Sequence, residues 1–415
     1  MSGGVDSSVA ALLMQAAGYE CDAVMLRLFD DENKDADEAG DAKDATDTYG
    51  ALGANGAAGA DGAMDAYGVL DAEGVAYVDN ALGADGAMDA DITAQREFAF
   101  GGDSEPPNPA YSYAREVAEL LEIPFNILDL RCIFNEKVVN PFIFSYLEGA
   151  TPNPCIHCNR HIKFGALLEY AVAQGFDRIA TGHYARVEKD SRTGRYLLKK
   201  GADADKDQSY MLYSLTQRQL SKIVFPLGGY LKRDVRTIAE SRGFQNAKRR
   251  ESQDICFIPD GCYADFITRR TGKKFEEGPI ADMSGVVVGR HKGAIRYTVG
   301  QRKGLGLAMP EPVYVYAKSM AENKIFIGYE NLLFTKTLIA RDINLIPFPS
   351  LGGSIRAAAK TRYRQPEQPA TIEQISDNEI RVEFDAPQRA ITCGQAVVFY
   401  DGDTVIGGGI IDRSG

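Results

Sequence analysis

Met1-Ser2-Gly3-Gly4-Val5-Asp6-Ser7-Ser8 opens the chain. Adjacent glycines let a backbone pass close to a phosphate, with successive N–H groups aimed at the anion. Val9, Leu12, Leu13 and Ala16 follow at helical spacing, so Ser7 and Ser8 sit where a helix is expected to start. A glycine turn feeding a helix N-terminus suits a phosphate group, because the helix dipole favours negative charge there. The Gly-Lys-Ser/Thr ending of the commoner P-loop is absent, which excludes that pattern. A bare Ser-Gly-Gly is equally compatible with a capped surface turn. The full Ser-Gly-Gly-Val-Asp-Ser string favours the nucleotide.

At 415 residues the chain has room for two or three domains with real cores. No run of about 18 apolar residues offers a membrane span, and the N-terminus reads as a functional loop, not a basic-then-apolar leader. Seven irregularly spaced cysteines do not resemble a disulfide scaffold; they fit a cytoplasmic enzyme with reactive or metal-binding thiols. The net charge of −12 is unevenly spread. Residues 30–105 hold 20 acidic side chains against Lys34, Lys43 and Arg96, which leaves the remainder at +5 and suited to a polyanionic partner. The same segment is low in complexity, with Gly-Ala-Asp-Gly-Ala-Met-Asp-Ala at 59–66 and again at 83–90. Its spacing matches neither an EF-hand loop nor a calcium-binding repeat. With so little apolar surface to bury, 31–105 is expected to be a disordered insertion in a surface loop.

Outside the insertion, α and β patterns alternate. An apolar run of strand length covers 21–29, followed by a helix over 111–122, a strand over 124–130, a helix over 159–174 and a strand over 177–186. This order predicts an α/β domain with an open parallel sheet and helices on both faces, its ligands at the carboxyl ends of the strands, where the glycine loop lies. Such a sheet expects a strand ahead of the loop, whereas this sequence opens on the loop. Beyond about Gly261, short β-rich runs take over at 279–289, 312–317, 324–328, 371–374, 380–385, 396–400 and 404–411. The expected organisation is a catalytic domain over 1–260, a small β-rich central domain over 261–333 and a C-terminal β-barrel domain over 334–415.

Two further strings carry chemistry. In Thr151-Pro-Asn-Pro-Cys-Ile-His-Cys-Asn-Arg-His-Ile-Lys-Phe164 the prolines fix an extended approach, and Cys158 is expected at or just before a helix start near Asn159. A thiol there, with Arg160 and Lys163 nearby, should have a depressed pKa. Ser252-Gln-Asp-Ile-Cys-Phe-Ile-Pro259 sets Cys256 in a short apolar run. Cys256 alone reads as a buried core thiol, and Cys155-x-x-Cys158 alone as half a zinc site. A second CxxC is absent, so no closed structural zinc pattern forms.

Together the three strings resemble the tRNA-specific 2-thiouridylase family of the ATP-pyrophosphatase superfamily. The likeness extends over nearly the whole chain except the insertion. It includes Lys206-Asp-Gln-Ser-Tyr210, Thr298-Val-Gly-Gln-Arg-Lys-Gly-Leu-Gly306, Lys360-Thr-Arg-Tyr-Arg-Gln365 and Gly407-Gly-Gly-Ile-Ile411. The resemblance implies that residues 1–8, with Leu26 against the adenine and Gly182 near the nucleotide, hold ATP, and that Asp6 serves catalysis. ATP then adenylates the C2 oxygen of the wobble uridine, with Mg²⁺ helping the pyrophosphate to leave. Cys256 carries a persulfide received from a cysteine desulfurase or sulfur-relay protein. Cys158 is the nucleophilic or resolving thiol and forms a disulfide with Cys256. The chemistry is coherent: a carbonyl oxygen leaves only once it is part of an AMP ester, and sulfur transfer needs one thiol to carry and another to release.

By the same resemblance, Asn153, Pro154, Cys155, Lys206, Asp207, Gln208, Arg362 and Tyr363 touch the tRNA, in the anticodon loop of lysine-, glutamate- and glutamine-type acceptors. The pairs and triplets Lys248-Arg249-Arg250, Arg269-Arg270, Lys273-Lys274, Arg302-Lys303 and Lys360/Arg362/Arg364 suit a phosphate-tracking surface. Tyr363 suits stacking on an unpaired base turned out of its loop. His183 reads as a packing or hydrogen-bonding residue. Position 155 is Cys where the family often has Asp, which adds a third thiol. That motivates a rival, less favoured reading in which Cys155, Cys158 and Cys256 ligate an iron–sulfur cluster. A rival of another class is a tRNA- or nucleotide-binding protein without catalysis.

Overall fold

Gly4, not Ser7, opens the first helix. α1 spans Val5–Ala16 with Gly4 as its extended N-cap. Ser7 and Ser8 therefore lie in the first turn, where their hydroxyls bond back to the Gly4 carbonyl at 2.9 and 3.2 Å. The computed structural model describes residues 1–29, 68–70, 76–78, 109–248, 255–259 and 261–415. β1 (Ala23–Arg27) follows α1. Asp30–Ala99 form a separate unit, of which β2 (Gly68–Leu70) and β3 (Ala76–Val78) are described as an antiparallel pair with Val69 opposite Tyr77. The disorder expected of the rest of the insertion falls outside the described residues, as do Arg249 and Arg250.

After the insertion come α2 (Pro109–Leu120) and β4 (Phe125–Asp129), which pairs in parallel with β1 so that Met25 faces Ile127 and Leu26 faces Leu128. Two long helices follow, α3 over 131–147 and α4 over 154–173; each contains a π segment, Asn135–Val139 and Cys158–Ala166. Such wide turns are uncommon and concentrate at functional sites. β5 (Ile179–Ala180) pairs in parallel with β8 (Ile223–Val224). In the α/β domain the parallel strands thus form two pairs, and among the described residues no strand joins β1 to β5.

The strand expected over 177–186 breaks at Thr181–Tyr184 and resumes as β6 (Ala185–Lys189), which forms a hairpin with β7 (Tyr196–Lys200). This hairpin leaves the α/β layer and joins the C-terminal sheet through Lys199 opposite Thr404. Short α5 (Gln217–Leu220), α6 (Lys232–Ser241) and α7 (Tyr263–Thr271) complete the α-helices among the described residues. A four-stranded sheet then forms from β9 (Gly278–Ala281), β10 (Val287–His291), β11 (Tyr314–Ser319) and β12 (Lys324–Gly328).

The last six strands are β13 (Phe334–Leu345), β14 (Ser354–Lys360), β15 (Gln368–Ser376), β16 (Glu379–Arg389), β17 (Ala396–Asp401) and β18 (Thr404–Ser414). They run in the order 13-16-15-14-17-18 and close through β18–β13 into a barrel. β17 is buried on both faces, which explains its unbroken apolar sequence. Val397 and Phe399 point into the barrel core, while Ala396, Val398 and Tyr400 pack in a second core with Ile156, Phe164 and Leu168 of α4. The barrel thereby braces the helix that carries Cys155 and Cys158.

All four histidines have pKa values lowered by burial, His161 to about 3, with His157, His183 and His291 shifted the same way. The unfolded chain binds more protons than the folded one below about pH 6.5, so this stability is present above that pH and lost as pH falls. For His161 the loss is about 1.4 kcal/mol per pH unit. The midpoint of thermal unfolding is expected to drop between pH 7.5 and 5, with a shallower drop in His161→Gln. A flat profile by calorimetry would refute this.

Candidate functional site

The glycine loop is built by close approach. Gly3 has φ +66, and a Cβ there would lie 2.2 Å from the Ala110 carbonyl oxygen. At Gly182 a Cβ would lie 2.7 Å from the backbone carbon of Asp6, so the loop and the 181–184 turn touch through a missing side chain. The Ser2 N–H donates to Ser7 Oγ at 3.0 Å. Buried Asn246 donates to the Gly3 carbonyl at 3.1 Å and to Ser8 Oγ at 3.0 Å. The first-turn N–H groups of Val5, Asp6 and Ser7 have no acceptor within α1, as at any helix start, and they are the groups an anion would use. Met1 donates its amino group to the Val24 carbonyl, and half-buried Leu26 lies on β1.

Asp6 does not stand alone. Lys232 Nζ lies 2.7 and 2.8 Å from its two oxygens, and the Tyr184 hydroxyl donates to Oδ1 at 2.8 Å. The Lys232 backbone N–H donates to Asp203 Oδ2 at 2.8 Å, which fixes the start of α6. Lys232 and Asn246 escaped sequence reasoning: a lone lysine and asparagine more than 200 residues from the loop carry no local signal.

The thiols gather on a second face. Asn153 is the N-cap of α4, accepting from the Cys155 N–H at 3.2 Å, with buried Pro154 in the first turn. The helix therefore starts five residues earlier than expected. Cys158 lies in its second turn, its N–H already bonded to the Pro154 and Cys155 carbonyls. The depressed pKa expected from a helix N-terminus is not found: burial raises the Cys158 thiol, against an opposing pull from Lys163. Cys256, exposed on one side, is pushed up to about 12 by burial, with Cys158 and Cys155 adding and Lys163 opposing. Burial also raises Cys155, again opposed by Lys163. Three thiols thus sense one another and share one cation. All seven cysteines are free, and among the described residues no group of three or more His, Cys, Asp or Glu side chains is arranged to hold a metal ion.

His183 links the two faces. It is buried, its Nδ1 lies 2.8 Å from Thr181 Oγ1, and its ring lies 5.6 Å from Phe164 of α4. Lys163 helps to lower its pKa, after burial.

The residues expected to meet tRNA divide. Asn153 Nδ2 lies 3.3 Å from Met211 Sδ. Asp207 is buried and accepts from the Gly201 and Ser209 N–H groups and the Ser209 hydroxyl, at 3.0, 3.1 and 2.8 Å. Gln208 Oε1 accepts from the Tyr184 N–H at 3.0 Å. These two brace the loop leading to Ser209. The Lys206 N–H bonds the Asp203 carbonyl at 3.1 Å. Arg362 donates to the Ala390 carbonyl at 2.6 Å, and the half-buried Tyr363 ring lies 6.0 Å from Tyr210. Lys360 leaves the expected phosphate-tracking set. It is buried, its ammonium 5.3 Å from the Tyr400 ring centre and 5.7 Å from that of Tyr210, and burial lowers its pKa. Lys273, Lys274, Arg302 and Lys303 are exposed.

Three family models match in succession. One described as a tRNA methyl transferase HUP domain covers residues 1–54 and 94–260, a PRC-barrel domain of the same series covers 264–329, and an aminomethyltransferase β-barrel domain covers 335–411. The tRNA-specific 2-thiouridylase MnmA of Moorella thermoacetica is 52% identical over 299 residues, 72% of this chain and 84% of that relative. The enzyme of the same name from Clostridioides difficile is 40% identical over 414 residues, covering 100% of this chain and 97% of that relative. The chain belongs to the tRNA-specific 2-thiouridylase family. Within it, the HUP-type α/β domain holds both the glycine loop and the thiol helix, and the barrel supports the latter. Among the described residues no helix is long and apolar enough to cross a membrane.

In this 2-thiouridylase family member, Lys163 opposes the upward shift that burial imposes on Cys155, Cys158 and Cys256. Lys163→Met is expected to slow iodoacetamide alkylation of Cys158 and Cys256 by about fivefold at pH 8, the factor for an interaction of about 1 kcal/mol. Raising the pH restores the rate. Alkylation unchanged by the substitution would remove Lys163 from this role.

Proposed function

We propose that this chain thiolates the wobble uridine of tRNA, using ATP to activate the C2 oxygen and a cysteine persulfide to supply sulfur. The turn at 181–184 carries the reading. Gly182 lies against Asp6 of the glycine loop, and His183 packs on Phe164 of the thiol helix. A nucleotide on the loop and a base beside the thiols are therefore neighbours.

ATP binds with its phosphates at the N–H groups of Val5, Asp6 and Ser7, and Leu26 offers an apolar face to the adenine. Lys232 exchanges its contact with Asp6 for the leaving pyrophosphate, whose charge it offsets. Mg²⁺ usually takes one or two carboxylates together with substrate phosphates. Asp6 supplies one such carboxylate beside the loop, so the donors fit; the ion would neutralise charge on the phosphates. The uridine C2 oxygen attacks the α-phosphorus and pyrophosphate leaves.

The terminal sulfur of the Cys256 persulfide then attacks C2, and AMP leaves with the former C2 oxygen. Cys158 thiolate attacks Cys256 Sγ, which releases 2-thiouridine and leaves a Cys158–Cys256 disulfide. The exposure of Cys256 suits loading by a desulfurase or relay protein. Arg362, Tyr363, Lys206 and the exposed Lys273, Lys274, Arg302 and Lys303 are proposed to guide the anticodon loop of lysine-, glutamate- and glutamine-type tRNAs.

The test is incubation of the chain with ATP, Mg²⁺, unmodified tRNA and a persulfide donor, followed by mass spectrometry of the digested nucleosides. ATP-dependent 2-thiouridine is the expected product. Tight tRNA binding with no product and no ATP cleavage would instead identify a non-catalytic binder.

A further inference from the structure

The proposed cycle ends on a Cys158–Cys256 disulfide that must be undone before Cys256 can load sulfur again. Cys158 is buried, whereas Cys155, one turn earlier on α4, is exposed. Residues three apart on a helix have Cα atoms roughly 5 Å apart, inside the span that a disulfide bridges. Cys155 and Cys158 are held on one helix whose start is fixed by the Asn153 cap and Pro154, while Cys256 comes from about 100 residues further along the chain. Cys155 lies near enough for its charge to raise the pKa of both other thiols and for Lys163 to lower its own.

We infer that Cys155 is a relay thiol that regenerates Cys256 by exchange within the site. This rests on the thiolation reading above. Cys155 thiolate attacks Cys158 Sγ of the Cys158–Cys256 disulfide; the new bond is Cys155–Cys158, and Cys256 departs as thiolate and takes a proton. No net oxidation occurs in this step. The oxidising equivalent moves to the exposed Cys155, where an external dithiol reductant attacks, takes the disulfide for itself and returns two free thiols. The direction is useful because an external thiol attacking Cys256 would leave it blocked as a mixed disulfide. Exchange from Cys155 returns it free.

The experiment follows one turnover without reductant, starting from protein loaded with persulfide at Cys256, with ATP and unmodified tRNA. After alkylation, the disulfides are mapped by non-reducing peptide mass spectrometry. The full chain is expected to hold Cys155–Cys158 with Cys256 alkylated. Cys155→Ser is expected to hold Cys158–Cys256 after one turnover and, measured against its own first turnover, to lose about fivefold or more in multiple turnover with a dithiol reductant. Product formed with a lasting Cys158–Cys256 disulfide in the unaltered chain overturns the relay and leaves the thiolation reading intact. So does equal multiple turnover of Cys155→Ser. Cys155 protected from alkylation by bound iron in anaerobically purified protein also overturns it. Absence of 2-thiouridine in every sample overturns the thiolation reading and the relay with it.

Discussion

Cys256→Ser is expected to make no 2-thiouridine, a loss of at least about 10³-fold, because a hydroxyl cannot carry sulfane sulfur. The same chain should still cleave ATP to AMP and pyrophosphate in the presence of tRNA, since the glycine loop and Lys232 are untouched. Cys158→Ser is expected to fall by a similar factor while still accepting sulfur on Cys256, which intact-mass measurement would detect as one added sulfur atom. The pair separates carrier from resolver. Equal loss of sulfur loading in both variants would contradict the assignment, as would loss of ATP cleavage in Cys256→Ser. The site favours neither free thiol as a thiolate at neutral pH, for burial raises both. A persulfide is more acidic than its parent thiol, so loading itself activates the site.

Gly3→Ala is the second large effect expected. The residue sits at φ +66, and its new methyl would overlap the Ala110 carbonyl oxygen, 2.2 Å from the Cβ position. A left-handed alanine costs about 1 kcal/mol or more before any overlap is counted. The loop must shift, and with it the N–H groups that would bind phosphate. ATP affinity is expected to fall by about 100-fold or more, while tRNA binding on the basic face stays within about threefold. Isothermal titration of ATP and tRNA separately would measure both. A Gly3→Ala chain that keeps ATP affinity and melts normally would show that the loop is not the phosphate site.

The glycine loop, the candidate thiols Cys158 and Cys256 and the change from α/β to β-rich texture were legible because each is local. A Gly-Gly turn, a CxxC and alternating strands are read over a few residues. What was not legible was decided by distant partners. Asp6 reads as a bare catalytic carboxylate, yet Lys232, 226 residues away, lies on it. Asp207 and Gln208 read as tRNA contacts, yet their acceptors are taken by backbone N–H groups and the Ser209 hydroxyl. Lys360 reads as a phosphate contact, but the rings of Tyr210 and Tyr400 enclose it, and those aromatics come from other strings of sequence. The helix carrying Cys158 starts at Pro154 because Asn153 caps it, and placing the start at Asn159 led to the opposite sign for the thiol pKa. Strand β14 is absent from the sequence reading for a local reason. Ser354–Lys360 is alanine-rich and resembles a helix until barrel closure pairs it on both edges.

The central claim is that ATP activates the uridine C2 oxygen and sulfur then displaces it. Its most direct measurement starts from unmodified tRNA carrying ¹⁸O at uridine C2, incubated with the chain, ATP and a persulfide donor. The account predicts one ¹⁸O atom in AMP for every 2-thiouridine formed, and none in pyrophosphate. Label recovered in water, with unlabelled AMP, would contradict it.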